Sequence, residues 1–316
     1  MHTRVKDAQR CNDVAAVIVT YNPELTTYFR GLDAIARQVG LVIVVDNASG
    51  GIPVGRIEGV ARDSGIEAKV IVLPRNEGLG TAINVGIGEA RSGGYPHIIL
   101  FDQDSVPEVG MVARLKQAYK DLSEKDESIA AVGPQFRDPE NGHLSGFVDI
   151  INGRFRLVRC DDSERFVQVG MMISSGSFIP MCAINAVGDM DETLFIDYVD
   201  TEWCLRARSK GWMAYGTCGA IMEHSLGEHR RRVWLLRWHN IPCHAPFRYY
   251  YILRNILILS RRDYIYSEAR KALYVYAIKL VVCLLFLLPN RFKNMIMALR
   301  GIIDGIRRKS GPMSQN

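Results

Sequence analysis

Residues 97–105 read HIILFDQDS, a short apolar run that passes directly into two acidic residues separated by one glutamine. The apolar part has the length and composition of a strand buried on both faces. Three earlier stretches show the same pattern of a buried strand that ends at polar or turn-forming residues. They are 14–20, 41–45 and 69–73. Residues 24–39 and 80–91 have helical spacing, so strands and helices alternate along this half of the chain.

This alternation predicts an α/β fold with a mainly parallel sheet that is flanked by helices on both faces. Polar residues follow the carboxyl ends of the strands, and open α/β sheets bind ligands at that edge. The middle of the chain, 131–180, adds shorter strand-like stretches and ends in ISSGSFIP, whose small residues let backbone pass close to a ligand. The sequence therefore predicts a nucleotide-binding α/β domain.

Two glycine-rich segments test whether the nucleotide is a dinucleotide. Residues 78–83 read GLGTAI and residues 86–91 read GIGEAR, so both lack the third glycine of the dinucleotide fingerprint. No acidic residue ends the next strand at the ribose-binding spacing, and the pattern GxxxxGK[ST] of the P-loop does not occur. These features argue against a nicotinamide-dependent dehydrogenase and against a P-loop NTPase.

Cysteine usage and the N-terminus bear on the cellular compartment. The seven cysteines are odd in number and scattered, and no two are spaced as CxxC. This pattern predicts reduced thiols, with neither a disulfide framework nor a zinc site. The first fourteen residues contain no apolar core that could act as a signal peptide, so we expect a cytoplasmic protein.

Asp102 and Asp104 directly follow the apolar run, so both side chains are expected to project from the edge of the sheet into a cleft. Carboxylate oxygens suit Mg²⁺ or Mn²⁺, which usually bind through one or two carboxylates together with substrate phosphates. Such an ion would neutralise charge on a departing diphosphate. Two aspartates at this spacing also occur in ordinary solvated loops, and the buried strand before them is what favours a metal site.

Five motifs extend this pattern along the chain. In order, they are VIVTYN at 17–22, VDNAS at 45–49, NEGLG at 76–80 with Asn84, DQDS at 102–105 and FIDYVDTEWCLR at 195–206. Together they resemble the family 2 glycosyltransferases, which have the GT-A fold. Within that family, the DQDS form, the IDYVDTEW block and the HSLG sequence at 224–227 resemble the bacterial rhamnosyltransferases of surface-polysaccharide assembly, such as O-antigen synthesis.

The resemblance covers roughly residues 13–260 and implies a GT-A catalytic domain over 1–229. Residues 1–110 would form the half that binds the nucleotide sugar, and residues 111–229 would form the acceptor and catalytic half. Residues 230–316 would follow as a separate tail.

The same resemblance implies roles in donor binding. Thr20 and Tyr21 would line the pocket for the base, and Asp46 would accept a hydrogen bond from the N3–H group of thymine or uracil. Arg75 and Asn76 occupy positions at which the family contacts the donor ribose or phosphate; an ordinary surface role is the alternative for Arg75.

The resemblance also implies the metal ligands. Asp104 would bind the ion, and Asp102 would contact either the ribose or the ion. His224 corresponds to a histidine that approaches the diphosphate or the metal, and a hydrogen-bonded packing role is its alternative.

Asp200 is the general base that the resemblance implies. The family usually has Glu-Asp at this point, whereas this chain has Val199 before Asp200, so one carboxylate is missing. Asp197 and Glu202 therefore stay open as alternatives. Glu202 also has the i,i+4 spacing of a helical ion pair with Arg206, which would be a structural role.

The implied reaction is a single displacement that inverts the anomeric centre, in which the base takes a proton from an acceptor hydroxyl. The implied donor is dTDP-L-rhamnose, and the implied acceptor is a lipid-linked glycan or oligosaccharide. A UDP-hexose or UDP-N-acetylhexosamine donor is the alternative within the family. A non-catalytic module that binds nucleotide sugars or nucleic acid is a more remote alternative.

The tail at 230–316 contains 17 Lys/Arg against 3 Asp/Glu, a net charge of +14, whereas the rest of the chain carries −9. Apolar residues recur at helical spacing from 292 to 306, so we expect basic amphipathic helices on an anionic membrane surface, with the protein peripheral on the inner face of the plasma membrane. The uninterrupted apolar run 280–288 is too short to span a bilayer. A hairpin packed on protein is the alternative; nucleic-acid binding is disfavoured because this run would have no role in its groove.

Overall fold

The computed structural model describes residues 10–125, 128–139, 142–160, 165–224, 229–235 and 237–314, with the backbone alone described between 229 and 242. Its first half forms four parallel strands in the spatial order β3-β2-β1-β4. They are β1 (Cys11–Thr20), β2 (Val39–Asp46), β3 (Glu67–Val72) and β4 (His97–Asp102). The four strands predicted from the sequence are confirmed, with ends that differ by three residues at most.

Helices cover both faces of this sheet, which explains why its central strands are apolar throughout. Along β1, Val17 faces one core cluster, whereas Ala16 and Ile18 face another cluster on the opposite side. The connecting helices are α1 (Leu25–Ala36), α2 (Val54–Asp63) and α3 (Leu79–Ser92). Helices α1 and α2 pack in the second cluster and α3 packs in the first, so side chains that alternate along a strand are buried on both sides.

The second half of the main sheet is mixed. A short strand, β10 (Phe178–Pro180), lies antiparallel between β4 and β6 (Ile129–Arg137), and β11 (Met213–Glu223) is parallel to β6. Strands β5 and β9 pair antiparallel with β11, while β7 and β8 form a separate hairpin. The strands are β5 (Val106–Pro107), β6 (Ile129–Arg137), β7 (Phe147–Ile151), β8 (Arg154–Val158), β9 (Phe166–Val169), β10 (Phe178–Pro180) and β11 (Met213–Glu223). The helices are α4 (Met111–Ser123), α5 (Met181–Val187) and α6 (Val199–Ser209).

The C-terminal part of the chain begins with strands where a helical tail was expected. β12 (His229–Leu235) and β13 (Arg237–Cys243) form an antiparallel hairpin, so the helical expectation for 230–316 is wrong for these two strands. Three helices follow: α7 (Pro246–Leu259), α8 (Ser267–Phe286) and α9 (Arg291–Ile306). Helix α7 packs Ile252, Ile256 and Leu259 into the same core cluster as α3 and α6. In the described parts of the chain, no helix has both the length and the apolar character needed to cross a membrane.

Cys160 and Cys218 form a disulfide, with their Cα atoms 5.8 Å apart. The expectation that all seven cysteines are reduced thiols is therefore wrong for this pair. The two residues are 58 positions apart in sequence and carry no local motif. The antiparallel pairing of β9 with β11, in which Phe166 lies opposite Thr217, brings them together.

Candidate functional site

Three predicted residues, Asp102, Asp104 and His224, form a cluster at the carboxyl edge of the sheet. One potential ligand atom from each lies within 4.8 Å of the other two. Nε2 of His224 lies 3.9 Å from Oδ2 of Asp102, and Nδ1 lies 3.5 Å from Oδ1 of Asp104. Asp102 ends β4 and His224 directly follows β11, so the ends of two separate strands build the cluster.

The electrostatics of this cluster favour a bound cation. Burial raises the pKa of Asp102, and the neighbouring carboxylate of Asp104 adds to the rise, whereas His224 and Arg248 oppose it. Two carboxylates held close together repel each other, and a divalent ion between them would remove that repulsion. Two carboxylates with one imidazole form a donor set that suits Mn²⁺, or Mg²⁺ with water and phosphate completing its coordination.

Two buried serines, Ser105 and Ser175, form hydrogen bonds with residues of the cluster. Ser105 Oγ lies 3.0 Å from Nδ1 of His224 and 2.6 Å from Oγ of Ser175. The hydroxyl of Ser175 also accepts a hydrogen bond of 3.1 Å from the backbone N–H of Asp102. Because Ser105 contacts Nδ1, Nε2 is the ring nitrogen that is available to an ion. The small-residue run at 173–180 was the sequence signal for Ser175, but it did not reveal this role.

A pocket of about 560 Å³ opens beside the cluster, and Asp104 and His224 form part of its wall. Asn22 lines it from the turn before α1, Arg30 from the middle of α1 and Glu223 from the end of β11. Arg30 and Glu223 form an ion pair at 3.1 Å across this wall. A pocket of this volume is in the range of small-molecule sites.

Thr20 and Asp46 end adjacent strands and lie opposite each other in the sheet, and both are fully buried. Thr20 Oγ1 donates to Asp46 Oδ1 at 2.8 Å. Ser49 contacts both carboxylate oxygens, since its Oγ donates to Oδ1 at 2.5 Å and its N–H donates to Oδ2 at 2.9 Å. Oδ2 therefore keeps one acceptor position, and the base-binding role of Asp46 stays a prediction.

Tyr21 lies in the loop after β1, and Arg75 lies in the loop after β3. Tyr21 is about half exposed, at 49%, and its backbone N–H donates to Gln103 Oε1 at 2.8 Å. This bond joins the loop after β1 to the loop that carries Asp104. Arg75 is exposed and pairs with Glu77 at 2.6 Å. The donor-binding roles of Tyr21 and Arg75 stay predictions.

Asn76 joins two loops through its side chain. Its Oδ1 accepts from Asn47 Nδ2 and from the backbone N–H of Gly78, both at 3.0 Å. Gly78 has a φ of 90°, and a Cβ there would lie 2.6 Å from the carbonyl oxygen of Phe195. The glycines at 78 and 80 therefore let the 191–198 loop lie against the start of α3, a different purpose from dinucleotide binding.

Asp200 lies in the first turn of α6, and its carboxylate is held by backbone donors. Oδ2 accepts from the N–H of Ser174 at 3.2 Å, and Oδ1 accepts from the N–H of Thr201 at 2.6 Å. Burial raises the pKa of Asp200 to about 6, against the effect of these hydrogen bonds, and the negative charge of Asp102 adds to the rise. Ser174 contacts Asp200 and Ser175 contacts Asp102, so consecutive residues connect the two carboxylates.

The two alternatives to Asp200 are each neutralised by an arginine. Glu202 is buried and accepts from Arg206 at 2.7 and 2.9 Å and from the hydroxyl of Tyr264 at 2.6 Å. The structural i,i+4 pair predicted for Glu202 is thus confirmed. Asp197 pairs with Arg248 of α7, whose Nε lies 3.3 Å from Oδ2. The sequence did not single out Arg248, because it was counted with the basic tail.

Replacing Arg206 by alanine is expected to destabilise the fold by about 3 kcal/mol, because it leaves the buried charge of Glu202 without its partner. Urea unfolding followed by circular dichroism would measure this change. The double variant Arg206→Ala/Glu202→Gln should recover part of the loss, since it removes the stranded charge. Equal stabilities of the single variant and the wild type would contradict the structural role of this pair.

Residues 225–227 of the HSLG motif lie outside the described residues, so their predicted part in the site has no counterpart here.

Comparison with known proteins agrees with this geometry. Residues 15–173 match the family described as Glycosyl transferase family 2. Over 301 residues the chain is 31% identical to the dTDP-rhamnosyl transferase RfbF of Shigella flexneri, a match that covers 95% of this chain and 97% of that relative.

Two solved structures share the fold at low sequence identity. S. aureus TarS 1–349 in complex with UDP-GlcNAc matches with a TM-score of 0.55 at 18% identity, over 94% of this chain and 81% of TarS. GalNAc-T7 with UDP, GalNAc and Mn²⁺ matches with a TM-score of 0.55 at 14% identity, over 87% of this chain and 58% of that chain. The expected GT-A fold is thereby confirmed. With a family match over half of its residues and a relative aligned along nearly its whole length, the chain belongs to glycosyl transferase family 2.

Proposed function

We propose that this glycosyltransferase moves L-rhamnose from dTDP-L-rhamnose to a lipid-linked glycan acceptor in the synthesis of a cell-surface polysaccharide such as O-antigen. The observation that carries the reaction is the arrangement of Asp200 and the Asp102–Asp104–His224 cluster about the adjacent residues Ser174 and Ser175. The choice of donor rests on the 31% identity to a dTDP-rhamnosyl transferase along nearly the full length of both chains.

Asp200 acts as the general base in this proposal. It takes the proton from an acceptor hydroxyl while that oxygen forms a bond to the anomeric carbon of the sugar. The bond from that carbon to the diphosphate breaks in the same displacement, so a β-L-rhamnosyl donor gives an α-L-rhamnoside. A pKa near 6 supports this role, because the carboxylate is ionised at neutral pH yet more basic than an ordinary aspartate.

The cluster of Asp102, Asp104 and His224 holds Mg²⁺ or Mn²⁺ in this proposal. The ion would supply positive charge beside the leaving diphosphate. Asp197 and Glu202 are weaker candidates for the base, because each already forms a salt bridge with an arginine. In each pair the arginine occupies carboxylate oxygens that a base would need for the acceptor hydroxyl.

Calorimetric titration of the purified protein with dTDP-L-rhamnose, UDP-glucose and UDP-N-acetylglucosamine tests the donor. We expect dTDP-L-rhamnose to bind in the presence of Mn²⁺, at least about tenfold more tightly than either UDP sugar, a difference of about 1.4 kcal/mol. Titrations without metal serve as the control. Preferential binding of a UDP sugar would refute the rhamnosyl assignment while leaving the base and the metal cluster in place.

The outer surface of α8 and α9 supports a membrane partner. Apolar side chains there are largely solvent-exposed, with Ile278 at 65%, Phe286 at 66%, Phe292 at 88% and Ile296 at 55%. The two helices also carry basic residues at 270, 271, 279, 291, 293 and 300. Exposed apolar groups beside basic ones are typical of helices that lie in an anionic bilayer interface. We therefore place this apolar–basic face on the inner leaflet of the plasma membrane, where a lipid-linked acceptor would be available.

Co-sedimentation with vesicles tests this surface. The double variant Phe292→Ser/Ile296→Ser should bind vesicles that contain anionic lipid at least about tenfold more weakly than the wild type, because each buried apolar side chain contributes roughly 1.5–3 kcal/mol. Leu157→Ser is the matched control, since Leu157 is 57% exposed but lies on β8. Unchanged binding of the double variant, or equal weakening by the control, would contradict the proposed surface.

A further inference from the structure

The loop that leads into α6 has an unusual backbone. Phe195, Asp197 and Tyr198 have φ angles of 65°, 62° and 67°, which lie in the left-handed region although none of them is glycine. Such a conformation is strained in a residue with a Cβ and persists only when its surroundings enforce it. Asp200 follows two residues after Tyr198, so the shape of this loop sets the position of its carboxylate.

Two adjacent residues of α7 hold the loop. Asn255 Nδ2 lies within hydrogen-bond distance of the carbonyl oxygens of Leu194, Ile196 and Asp197, at 3.0, 2.9 and 2.8 Å. Arg254 Nη2 donates to the carbonyl oxygen of Leu194 at 2.8 Å. Arg254 and Asn255 are both 0% exposed, so a buried polar pair on one helix binds three carbonyl groups of a loop about 60 residues away in sequence.

Further contacts fix Arg254 and Asn255 in this position. Arg254 Nε donates to Asn255 Oδ1 at 2.9 Å, and Nη1 donates to the carbonyl oxygen of Gly311 at 2.5 Å. The N–H of Gly311 in turn donates to the carbonyl oxygen of Thr193 at 2.7 Å. The guanidinium of Arg254 also lies 4.8 Å from the ring centre of Tyr251. A ring of contacts thus closes between α7, the loop and the C-terminal segment.

We infer that Arg254 and Asn255 are positioning residues for sugar transfer, because they hold three carbonyl groups of the loop and so keep Asp200 in its buried place beside Ser174. This inference rests on the proposed role of Asp200 as the base. Neither residue contacts the carboxylate of Asp200 or the metal cluster in the described structure, so their effect on the reaction passes through the loop backbone.

Loss of these contacts has a definite chemical consequence. Without Asn255, the carbonyl groups of Ile196 and Asp197 lose their side-chain donor, and Leu194 keeps only Arg254 of the pair. The left-handed residues then lose contacts that enforce their conformation. Water can then reach Asp200, and the burial that raises its pKa is reduced. Asp102, Tyr198 and Cys204 also interact electrostatically with this carboxylate, and the charge of Asp102 on β4 still raises the pKa of Asp200. A relaxed loop should therefore lower both the turnover number and the pH at which activity is lost.

The variants Asn255→Ala and Arg254→Lys test the inference, with Arg261→Ala as the control. Arg261 also donates from α7's C-terminal side to two carbonyl groups, those of Gly305 and Ile306, but these belong to α9 and not to the loop. The quantities to measure are kcat, the donor Kd, the pH profile of kcat and Tm.

Asn255→Ala should lower kcat roughly 100-fold, the loss expected for a misplaced catalytic group, while donor Kd changes by less than about threefold. On the acid side of its pH profile, the pH at which kcat falls to half should move from about 6 towards the ordinary aspartate pKa of 3.8. Arg254→Lys should lose less activity, roughly tenfold, because an ammonium group can still donate to one of the carbonyl groups. Arg261→Ala should lower Tm without changing kcat or the pH profile.

A folded Asn255→Ala variant with kcat and pH profile like the wild type, and a lower Tm alone, would overturn the inference. If Asn255→Ala does not fold, Arg254→Lys decides by the same two readouts. Failure of the proposed base is recognised separately, because an Asp200→Asn variant with normal turnover would refute that role whatever Asn255→Ala does.

Discussion

Asp200→Asn is expected to lower kcat roughly 10³-fold, which is within the range contributed by a general base. The amide cannot accept the proton of the acceptor hydroxyl, although its size is the same. Donor affinity should change by less than about threefold, because the contacts of Asp200 in this structure are to Ser174 and Thr201 of its own chain. Single-turnover kinetics and calorimetric titration with the donor measure the two quantities on the same protein.

The pH dependence of kcat provides a second readout of the same prediction. Only the ionised carboxylate can act as a base, and burial raises the pKa of Asp200 to about 6. Activity should therefore be nearly full well above pH 6, half lost near pH 6 and largely absent near pH 5. A profile that stays flat from neutral pH down to pH 5 would contradict the assignment of Asp200.

Two neighbouring carboxylates serve as matched controls. Glu202→Gln removes a charge from the same helix, and Asp197→Asn removes one from the loop before it. Each should affect stability through its lost arginine partner, Arg206 or Arg248, more than the chemical step. A loss of roughly 10³-fold in kcat for Asp197→Asn, with Asp200→Asn active, would move the base to Asp197.

The positions of the first four strands along the chain and the edge that carries the site could be predicted from local sequence features. A β-strand alternates its side chains between two faces, so the unbroken apolar run 97–101 requires cover on both sides, which α1 and α3 provide. The carboxyl ends of parallel strands share one edge, so Asp46 and Asp102 could be placed together from the sequence. His224 could be assigned to this edge only from the family resemblance, because it follows a strand that ends more than 100 residues after Asp102.

The parts that were not predicted depend on contacts between distant segments. Net charge over 230–316 is a sum over the whole segment, so it could not show that Arg254 is fully buried in α7. Two adjacent polar residues within the apolar sequence YYYILRNILIL were the available signal, since such residues inside a buried helix need specific partners. The Cys160–Cys218 disulfide likewise depends on strand pairing across 58 residues, which spacing alone does not encode.

Asp104→Ala is expected to abolish high-affinity Mn²⁺ binding and to lower kcat/KM roughly 10³-fold, since a metal ion contributes several kcal/mol to stabilising a charged transition state. The variant removes one of the two carboxylates in the cluster. The ion would then have only Asp102 and His224 as protein ligands, which are too few to hold it tightly. Mn²⁺ affinity can be measured by electron paramagnetic resonance in the absence of any sugar. This separates loss of the ion from loss of the reaction.

Glu223→Gln is the control for this metal prediction, because Glu223 lines the same pocket and precedes His224, but its carboxylate pairs with Arg30 at 3.1 Å instead of joining the cluster. It should bind Mn²⁺ like the wild type, within about twofold, since a rim charge more distant from the ion contributes little through water. Equal Mn²⁺ affinity in Asp104→Ala and Glu223→Gln would mean that the cluster is not the metal site. If Asp104→Ala loses Mn²⁺ but keeps its turnover, the ion is not needed for transfer, and groups of the protein would have to stabilise the leaving group instead.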